Sequence, residues 1–409
     1  MSRIAVVIPM LVIALPLPGG SQGPVRDSAG VRIVENTRPS WPRGSEWTVS
    51  DRPSFDVGSG DDSLYQLLNV MGAVRLQDGR VAVANMSSGS VRIYDASARY
   101  VRDIGRTGQG PAEFRQVMGI HRLPGDTLAV DDSRDEVEYF TANGTHVRQL
   151  RLAGGRRPFF LNGYYPFDDG TYARASWPQG QGRDPGRWID SLAVVRYSPG
   201  DTSGTIISRH PAVEFTKTAT LPFVQTVAFG PGGGIVGSGA GYYAGYADRY
   251  EIRHHRPDGA LSLIVRAPWT PKPVTRDDAE RFKERTINLR SEGGGAVPPR
   301  LLAQRRQMMD EVQFARNLPA YQHLVVDADR NLWVRDTYVE WYLGEGWGQS
   351  RVLSTPTAWR VFDRNGIWLG TVTLPARFNP MDIGTDYVLG LWRDEDDVEH
   401  VRIYQLTRR

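Results

Sequence analysis

The sequence predicts an all-β protein, a six-bladed β-propeller with a helical insertion between blades four and five. Three observations indicate this fold: short alternating strands fill most of the chain, tight turns rich in Gly and Asp separate them, and one four-strand unit recurs. A single four-stranded unit cannot bury both of its faces, so neighbouring units are expected to stack around an axis. The predicted propeller covers residues 31–409, and its insertion covers residues 275–316.

The repeat is clearest in two stretches that begin at Val70 and Val117. Both open with Val-Met-Gly, turn at an Asp-Gly or Gly-Asp pair, and continue into a second apolar strand. A third strand then ends in an aromatic residue, and an outer strand follows. Fainter copies are predicted with turns at 168–170 and 232–234, and then through 324–374 and 386–406.

The sixth unit has no outer strand of its own before the chain ends. A segment near the N-terminus, either 31–34 or 47–57, is free to supply that strand. Such pairing would remove an exposed sheet edge and close the ring.

One region departs from the β pattern. Residues 275–278 resemble a capping box with Asp in place of Glu, and apolar residues follow at helical spacing. Three glycines at 293–295 and two prolines at 298–299 end this helix, and an apolar stripe through 301–312 predicts a second one. The pair is expected to act as a packed lid or a brace, and the sequence leaves that choice open.

Composition and the N-terminus bound the location and the partners. The formal net charge is only +3 and no Lys/Arg-rich run occurs, so nucleic acid is not expected as a partner. The absence of Cys excludes disulfides, thiolate metal sites and Cys nucleophiles.

Residues 1–21 combine Arg3, an apolar run and small residues, which predicts a signal peptide cleaved after Ser21. A periplasmic or secreted protein without a membrane span follows; a retained anchor or a buried strand is the alternative.

A family resemblance enters at residues 102–114. The stretch Gly105-Arg-Thr-Gly-Gln-Gly-Pro-Ala-Glu-Phe114 resembles the linker between NHL-type propeller repeats, where a glycine-rich loop leads into the next inner strand. Residues 318–334 and 394–406 look like later blades of secreted bacterial six-bladed propellers. The resemblance covers about 47–406 and implies the fold. Members of the wider class bind peptides, sugars or nucleic acid, or are calcium-dependent lactonases or lyases, and none of their catalytic motifs can be placed here.

Several motifs that suggest chemistry fail on their spacing. The glycines at 105–110 precede a Pro and a strand instead of a helix, so a crossover between blades is favoured over a phosphate site. Residues 327–331 imitate the start of a calcium loop, but Leu332 stands where Gly is required, which predicts a hairpin turn. No nucleophile elbow and no His-Glu-x-x-His helix occur. Neither a catalytic residue, a metal nor a cofactor is predicted.

Six polar residues are candidates for ligand binding at the channel or on one face: Arg106, Gln116, His121, Asn162, Gln225 and His323. The two histidines fall in predicted inner strands, with His323 aligned to Gly72 and Gly119, although a packing or turn role is favoured for them. Aromatic residues are dense between 242 and 347, where they could stack on sugars, grip a peptide or fill the core.

The sequence therefore predicts an exported, monomeric binding module for a protein, peptide or glycan. The alternative is a metal-dependent lactonase- or lyase-like enzyme with its site at the channel mouth. The inner-strand starts offer amides and a histidine without an evident carboxylate, so no stabilisation by calcium is expected.

Overall fold

The computed structural model describes residues 23–60, 62–151, 163–176, 184–221, 224–289, 297–343 and 352–408. The predicted signal peptide at 1–21 lies outside these residues. The chain is mostly β, and its strands are β1 Val25–Ser28, β2 Val31–Glu35, β3 Thr48–Val49, β4 Phe55–Val57, β5 Val70–Arg75, β6 Val81–Asn85, β7 Ser90–Tyr94, β8 Tyr100–Ile104, β9 Arg106–Thr107, β10 Glu113–Phe114, β11 Val117–Leu123, β12 Thr127–Asp132, β13 Glu136–Phe140, β14 His146–Arg151, β15 Tyr165–Pro166, β16 Tyr172–Ser176, β17 Gly186–Tyr197, β18 Thr205–Lys217, β19 Gln225–Thr226, β20 Gly233–Gly237, β21 Tyr242–Tyr246, β22 Glu251–His255, β23 Leu261–Arg266, β24 Tyr321–Val326, β25 Leu332–Asp336, β26 Thr357–Phe362, β27 Trp368–Leu374, β28 Phe378–Ile383, β29 Tyr387–Arg393 and β30 Glu399–Thr407. The helices are α1 Arg276–Asn288, α2 Pro299–Asp310 and α3 Val339–Leu343.

Most strands form antiparallel sheets in which neighbours in sequence pair in order. We number these sheets along the chain: sheet 1 is β5–β8, sheet 2 is β11–β14, sheet 3 is β15–β19, sheet 4 is β20–β23, sheet 5 is β24–β27 and sheet 6 is β28–β30. Sheet 4 is extended by β2, which runs parallel to β23, and then by β1. Helices α1 and α2 lie between β23 and β24 in the chain.

The N-terminal strap, residues 31–57, contacts three successive sheets. The Asn36 side chain donates to the carbonyls of Arg266 and Gly366, which joins sheets 4 and 5. Beyond Trp41, β3 and β4 both pair with β30. The prediction that 47–57 supplies the outer strand of the last unit is confirmed, whereas 31–34 pairs with β23 instead.

The hydrophobic core lies between the faces of the sheets. Each consecutive pair of sheets shares a cluster of buried apolar side chains, and sheet 6 also shares one with sheet 1. Burial of such side chains is the main stabilising contribution, at about 1.5–3 kcal/mol for each large one. Members of these clusters, one from each of the two sheets and in order along the chain, are Val91 and Phe140, Tyr139 and Tyr172, Ala173 and Ile235, Tyr243 and Leu332, Trp333 and Val388, and Leu391 and Val70.

One predicted turn is wrong. Residues 232–234 were expected to turn between two strands, but Gly233 begins β20, the first strand of sheet 4. Glycine is needed here because the backbones of sheets 3 and 4 lie close together. A Cβ on Gly233 would lie 2.4 Å from the carbonyl oxygen of Pro211 in sheet 3. A glycine run in a strand can thus mark packing against a neighbouring backbone.

Two helices, α1 and α2, lie in the region where the sequence predicts a helical pair. Thr275 caps α1, its hydroxyl accepting from the Asp278 amide while the Asp278 carboxylate accepts from the Thr275 amide. The third helix, α3, is not among the predicted elements. No helix in the described ranges is long and apolar enough to cross a membrane.

Candidate functional site

One cavity of about 1340 Å³ touches the first strand of every numbered sheet. Lining residues come from β5, β11, β15, β20, β24 and β28, which places the cavity where the sheets converge. At one end α1 adds Phe282, Arg285 and Thr286, and α3 adds Trp341 and Tyr342. Phe229 packs against Phe282 and Tyr342, with ring centroids 5.4 and 4.9 Å apart, and so fixes both helices to the cavity wall.

The ladders show that His323 stands out from its counterparts. Five sheets can be aligned on the second-strand residue that pairs with an aromatic or imidazole residue of the third strand. Three positions further along the second strand, each sheet has a first-strand partner, and these partners can be compared. These residues are Gly72, Gly119, Gly234, His323 and Asn379 in sheets 1, 2, 4, 5 and 6. The predicted alignment of His323 with Gly72 and Gly119 is therefore confirmed. Sheets 5 and 6 carry polar side chains where three other sheets carry glycine.

His323 and Asn379 interact across the boundary between sheets 5 and 6. His323 lines the cavity, and its ring centroid lies 5.6 Å from that of Trp359. Burial and the nearby charge of Arg335 lower the pKa of His323 to about 3, against a hydrogen bond from Asn379 that favours protonation. The imidazole is therefore neutral at physiological pH.

Arg335 is buried beneath the cavity wall at the same boundary. It pairs with His323 in the ladder and is only 1% exposed. Its guanidinium carbon lies 4.0 Å from the ring centroid of Trp341 and 5.7 Å from that of Trp359. A cation over an indole face is attracted by the ring quadrupole, and desolvation strengthens the contact to about 2 kcal/mol.

Gln322 holds α3 next to the cavity. It is skipped in the ladder between Tyr321 and His323, so its side chain departs from the regular pleat. Its amide nitrogen donates to the Tyr338 carbonyl at 2.9 Å, and its amide oxygen accepts from the Tyr338 amide at 3.1 Å. The hydroxyl of Tyr338 accepts from the Ala358 amide, which ties the same segment to β26.

The opposite wall, between sheets 2 and 3, is rich in tyrosine. His121 lies 5.3 Å from the ring of Tyr164, which in turn stacks at 5.2 Å on Tyr172. The hydroxyls of Tyr139 and Tyr164 share a hydrogen bond. Within the described residues the buried hydroxyl of Tyr172 has no hydrogen-bond partner, and Nε2 of His121 lies 3.7 Å from a carboxylate oxygen of Asp131. This wall thus combines aromatic faces with one hydroxyl that has unused hydrogen-bonding capacity.

Two carboxylates of the described residues line the cavity, and both are in ion pairs. Asp168 accepts from Arg330 at 2.7 Å, and Glu214 accepts from Nη2 of Arg187 at 2.9 Å. Each negative charge is therefore compensated by an arginine. Among the described residues there is no group of three or more His, Asp or Glu side chains placed to hold a metal ion.

The other sequence candidates lie elsewhere or outside the description. Arg106 is on an exposed loop and pairs with Glu113 at 2.8 Å, and Gln116 is exposed just before β11. Gln225 donates to the carbonyl of Met308 at 3.3 Å, next to but outside the cavity lining. Asn162 lies outside the described residues. Only His121 and His323 of the six therefore reach the cavity in the described part of the chain.

Two motifs have clear structural roles. Phe114 packs on Gly105, where φ is +72° and a Cβ would lie 2.2 Å from the ring, so glycine permits this crossover. The carboxylate of Asp327 accepts from the Asn331 amide, the Trp333 indole and Arg408, which closes the β24–β25 hairpin. The calcium-like pattern at 327–331 thus forms a hairpin turn, as predicted.

Sequence information beyond the histidines was limited. Trp341 was recognised as one of several aromatics, but nothing marked it as a cavity residue, since its place depends on α3. Tyr164 and Tyr172 gave no signal, because stacking across two sheets has no sequence spacing. The break in the repeat at His323 was the one available clue.

Comparisons with known proteins give structural similarity alone. No protein-family model and no curated protein matches the sequence. A DUF4221-family member from Bacteroides vulgatus is similar over 90% of this chain and 100% of its own, with 10% identity and a TM-score of 0.54. A protein from Bacteroides fragilis classed as exported matches over 92% and 99% of the two chains, with 14% identity and a TM-score of 0.48.

Enzymes also occur among the similar structures. A gluconolactonase from Xanthomonas campestris matches over 90% of this chain and 99% of its own, with 13% identity and a TM-score of 0.41. At such identities similarity speaks to fold and leaves function open. The arrangement of the antiparallel sheets indicates a propeller-type fold.

Proposed function

We propose that this protein is an exported, monomeric, six-bladed propeller with NHL-like repeats that binds a short, uncharged glycan in its central cavity. The observation that carries the proposal is the cavity itself, lined by all six first strands and by aromatic rings. Shared core clusters between all consecutive sheets, including sheets 6 and 1, support a closed ring in which α1 and α2 are an insertion between blades four and five. The N-terminal 21 residues would act as the export signal.

The chemistry of the walls favours a glycan. Tyrosine, tryptophan and phenylalanine faces suit the apolar faces of sugar rings, while the free capacity of the Tyr172 hydroxyl suits a hydroxyl group. Asp168 and Glu214 are neutralised by arginines and so do not select a cation. Of the arginines that line the cavity, Arg122 lies 3.7 Å from Asp126 and Arg148 stacks over Tyr139 at 4.0 Å. The cavity is larger than a typical small-molecule pocket, so it has room for several sugar units, whereas a folded protein would not fit.

The alternative function is a lactonase- or lyase-like enzyme, for which His323 at the cavity wall would be the candidate base. Its pKa of about 3 makes it a weak base near neutral pH. A metal-dependent enzyme would also need oxygen ligands, and the two lining carboxylates in the described residues are already paired with arginines. Binding without turnover is therefore the preferred function.

Calorimetric titration of neutral hexasaccharides tests the proposal. The panel contains β-1,4-linked glucose, xylose and N-acetylglucosamine and α-1,4-linked glucose. The matched variants are Gly232→Trp and Gly232→Ala: Gly232 lines the cavity, and a Cβ there would have no neighbour within 4 Å. We expect one panel member to bind wild type and Gly232→Ala, and at least tenfold weaker binding to Gly232→Trp because the indole fills the cavity.

Three outcomes would contradict the proposal. Equal binding to the Gly232→Trp variant would place the ligand outside the cavity. Cleavage of the bound sugar, followed by mass spectrometry with and without chelator, would put the enzyme first. Binding of a matched hexapeptide library instead of every glycan would reassign the ligand class.

A further inference from the structure

We propose that Trp341 is a stacking platform for one sugar ring of the ligand, and that Arg335 is a positioning residue that holds the indole in place. This inference rests on the proposed function, because it names the subsite at which the glycan is recognised. It assigns a role to a boundary where the repeat pattern is broken by polar residues in two adjacent sheets.

The first step is the location of the indole. Trp341 is the third residue of α3 and lines the cavity together with Gln322 and His323. Arg335, which stacks over the indole at 4.0 Å, is almost completely buried and is not part of the lining. The guanidinium is therefore on the wall side of the ring, which leaves the indole oriented toward the cavity.

The second step is the support beneath the indole. A buried arginine is costly to desolvate, and the contacts of Arg335 include two indoles and the Asn379 side chain. The glycine counterparts Gly72, Gly119 and Gly234 show that the sheets do not need a side chain at the position of His323 for their pairing. Sheets 5 and 6 instead place His323 and Asn379 there, next to Arg335, and so surround it with polar atoms.

The third step is the fixing of the short helix that carries the indole. A five-residue helix is too short to be stable alone. Both polar groups of the Gln322 amide bond the Tyr338 backbone, and the Tyr338 hydroxyl accepts from Ala358. These bonds attach the start of α3 to β24 and β26. An aromatic ring on such a fixed segment loses little conformational entropy when a ligand binds.

The chemistry of this platform selects a ring with an apolar face. Arg335 on one face of the indole lowers the affinity of the opposite face for a second cation, because the positive charge is close. An uncharged pyranose, with axial C–H bonds on one face and hydroxyls at its edge, fits an indole bordered by the neutral imidazole of His323. A cationic amine would be disfavoured at this site.

The test uses 5-fluorotryptophan-labelled protein and the same hexasaccharide panel. The resonance of Trp341 is assigned by its loss in Trp341→Phe, and we expect it to shift when the binding hexasaccharide is added. Trp341→Ala should weaken binding about tenfold, and Trp341→Phe should recover most of that loss. Trp392→Phe is the control, because Trp392 also stacks with an arginine, Arg402, but lies outside the cavity lining; its binding should be unchanged.

The positioning role has a separate readout. Arg335→Lys keeps the charge but loses the planar stack, so we expect the Trp341 resonance to broaden and affinity to fall about threefold. If that variant does not fold, Gln322→Ala tests the same claim, because it releases Tyr338 and should broaden the same resonance. An unchanged resonance in both variants would overturn the positioning role.

The two proposals fail in different ways. Hexasaccharide binding that is blocked by Gly232→Trp but unchanged in Trp341→Ala would overturn the platform and leave the cavity as the ligand site. Absence of binding by every panel member would overturn both. Weakening of binding in Trp392→Phe to the same degree as in Trp341→Ala would show a general loss of structure and would also count against the platform.

Discussion

Sheets 1 and 2 and sheets 5 and 6 follow the same register but differ in what they place on it. In sheets 1, 2 and 5 one first-strand residue is skipped in the ladder directly before the position that His323 occupies in sheet 5. Sheets 1 and 2 have glycine at that position, whereas sheets 5 and 6 have His323 and Asn379. Strand pairing is thus a property of the fold, whereas the side chains that sheets 5 and 6 place at this position are the ones relevant to function.

The two regions also differ in how they complete their sheets. Sheets 1 and 2 consist of four consecutive strands each, while sheet 6 needs β3 and β4 of the N-terminal strap. Residues that are far apart in sequence therefore meet at sheets 5 and 6: Trp47 packs on Trp333, and Arg408 stacks over Trp47. The candidate platform thus lies in a part of the structure where residues far apart in sequence pack together.

The largest effect is expected from deleting residues 31–57. Sheet 6 would lose its fourth strand and sheet 5 its contacts with Trp41 and Trp47, so cooperative unfolding should be lost. Thermal unfolding followed by circular dichroism measures this. Deletion of residues 23–30 is the control, because β1 is exposed along its whole length and should matter little. A 31–57 deletion that melts at the wild-type temperature would contradict the account of the strap.

The next effect compares corresponding turns of sheets 5 and 1. Asp327→Ala removes a fully buried carboxylate and leaves the Trp333 indole and Arg408 without their acceptor, so we expect a loss of about 3 kcal/mol in unfolding free energy. Asp78→Ala removes an exposed turn contact with Arg80 and should cost less than about 1 kcal/mol. Urea denaturation measures both values, and equal losses would show that the two turns contribute alike.

The account also predicts acid sensitivity in sheets 4 and 5. Burial lowers the pKa of His254 to about 4 and that of His323 to about 3, below the usual value near 6.5. The unfolded chain therefore binds protons first as the pH falls, so stability is full above about pH 7 and declines between about pH 6.5 and 4. At about 1.4 kcal/mol for each pKa unit, His254 alone accounts for roughly 3 kcal/mol at the low end.

Unfolding free energies measured between pH 7 and 4 test this dependence. Replacing His254 with Gln should flatten the profile, because the titrating group is removed while hydrogen bonds to Ser238 and Ser262 remain possible. A profile that is flat in the wild-type protein, or that keeps its slope in the variant, would refute the assignment.

A modest stability effect is expected from His323→Gly, which restores the residue type of sheets 1, 2 and 4. The ladder tolerates glycine there, so the cost should be about 1–2 kcal/mol for the lost side chain. Binding of the hexasaccharide should also weaken, since the border of the Trp341 subsite is removed. The loss of affinity should exceed what the small decrease in folded protein would cause. Wild-type affinity in this variant would show that the break in the repeat has no role in ligand recognition.

The sequence predicted the repeat and several turns because these depend on local chemistry. Val70 and Val117 start comparable strands, Thr275 and Asp278 cap α1 by adjacent groups, and Asp327 organises its own hairpin. Contacts across sheets could not be predicted in the same way. The glycines at 233 and 234 serve packing against other sheets, and a sequence pattern cannot distinguish that use from a turn.

The candidate site was predictable only in part for the same reason. His121 and His323 were found because they lie in first strands and one of them interrupts an alignment with glycine. Arg106 and Gln116 lie near the starts of strands, but both are exposed and lie outside the cavity lining. They flank the crossover that begins at Gly105. Trp341, Tyr164 and Tyr172 reach the cavity through α3 and through stacking between sheets, which depend on tertiary structure.

The central claim, that the ligand lies in the cavity between the first strands, is tested most directly by hydrogen–deuterium exchange with and without the binding hexasaccharide. The account predicts slower exchange in β11, β20 and β24 and in α1 and α3, with unchanged exchange in the outer strands β8 and β27. Protection confined to outer strands or rim turns, with the first strands unaffected, would contradict it.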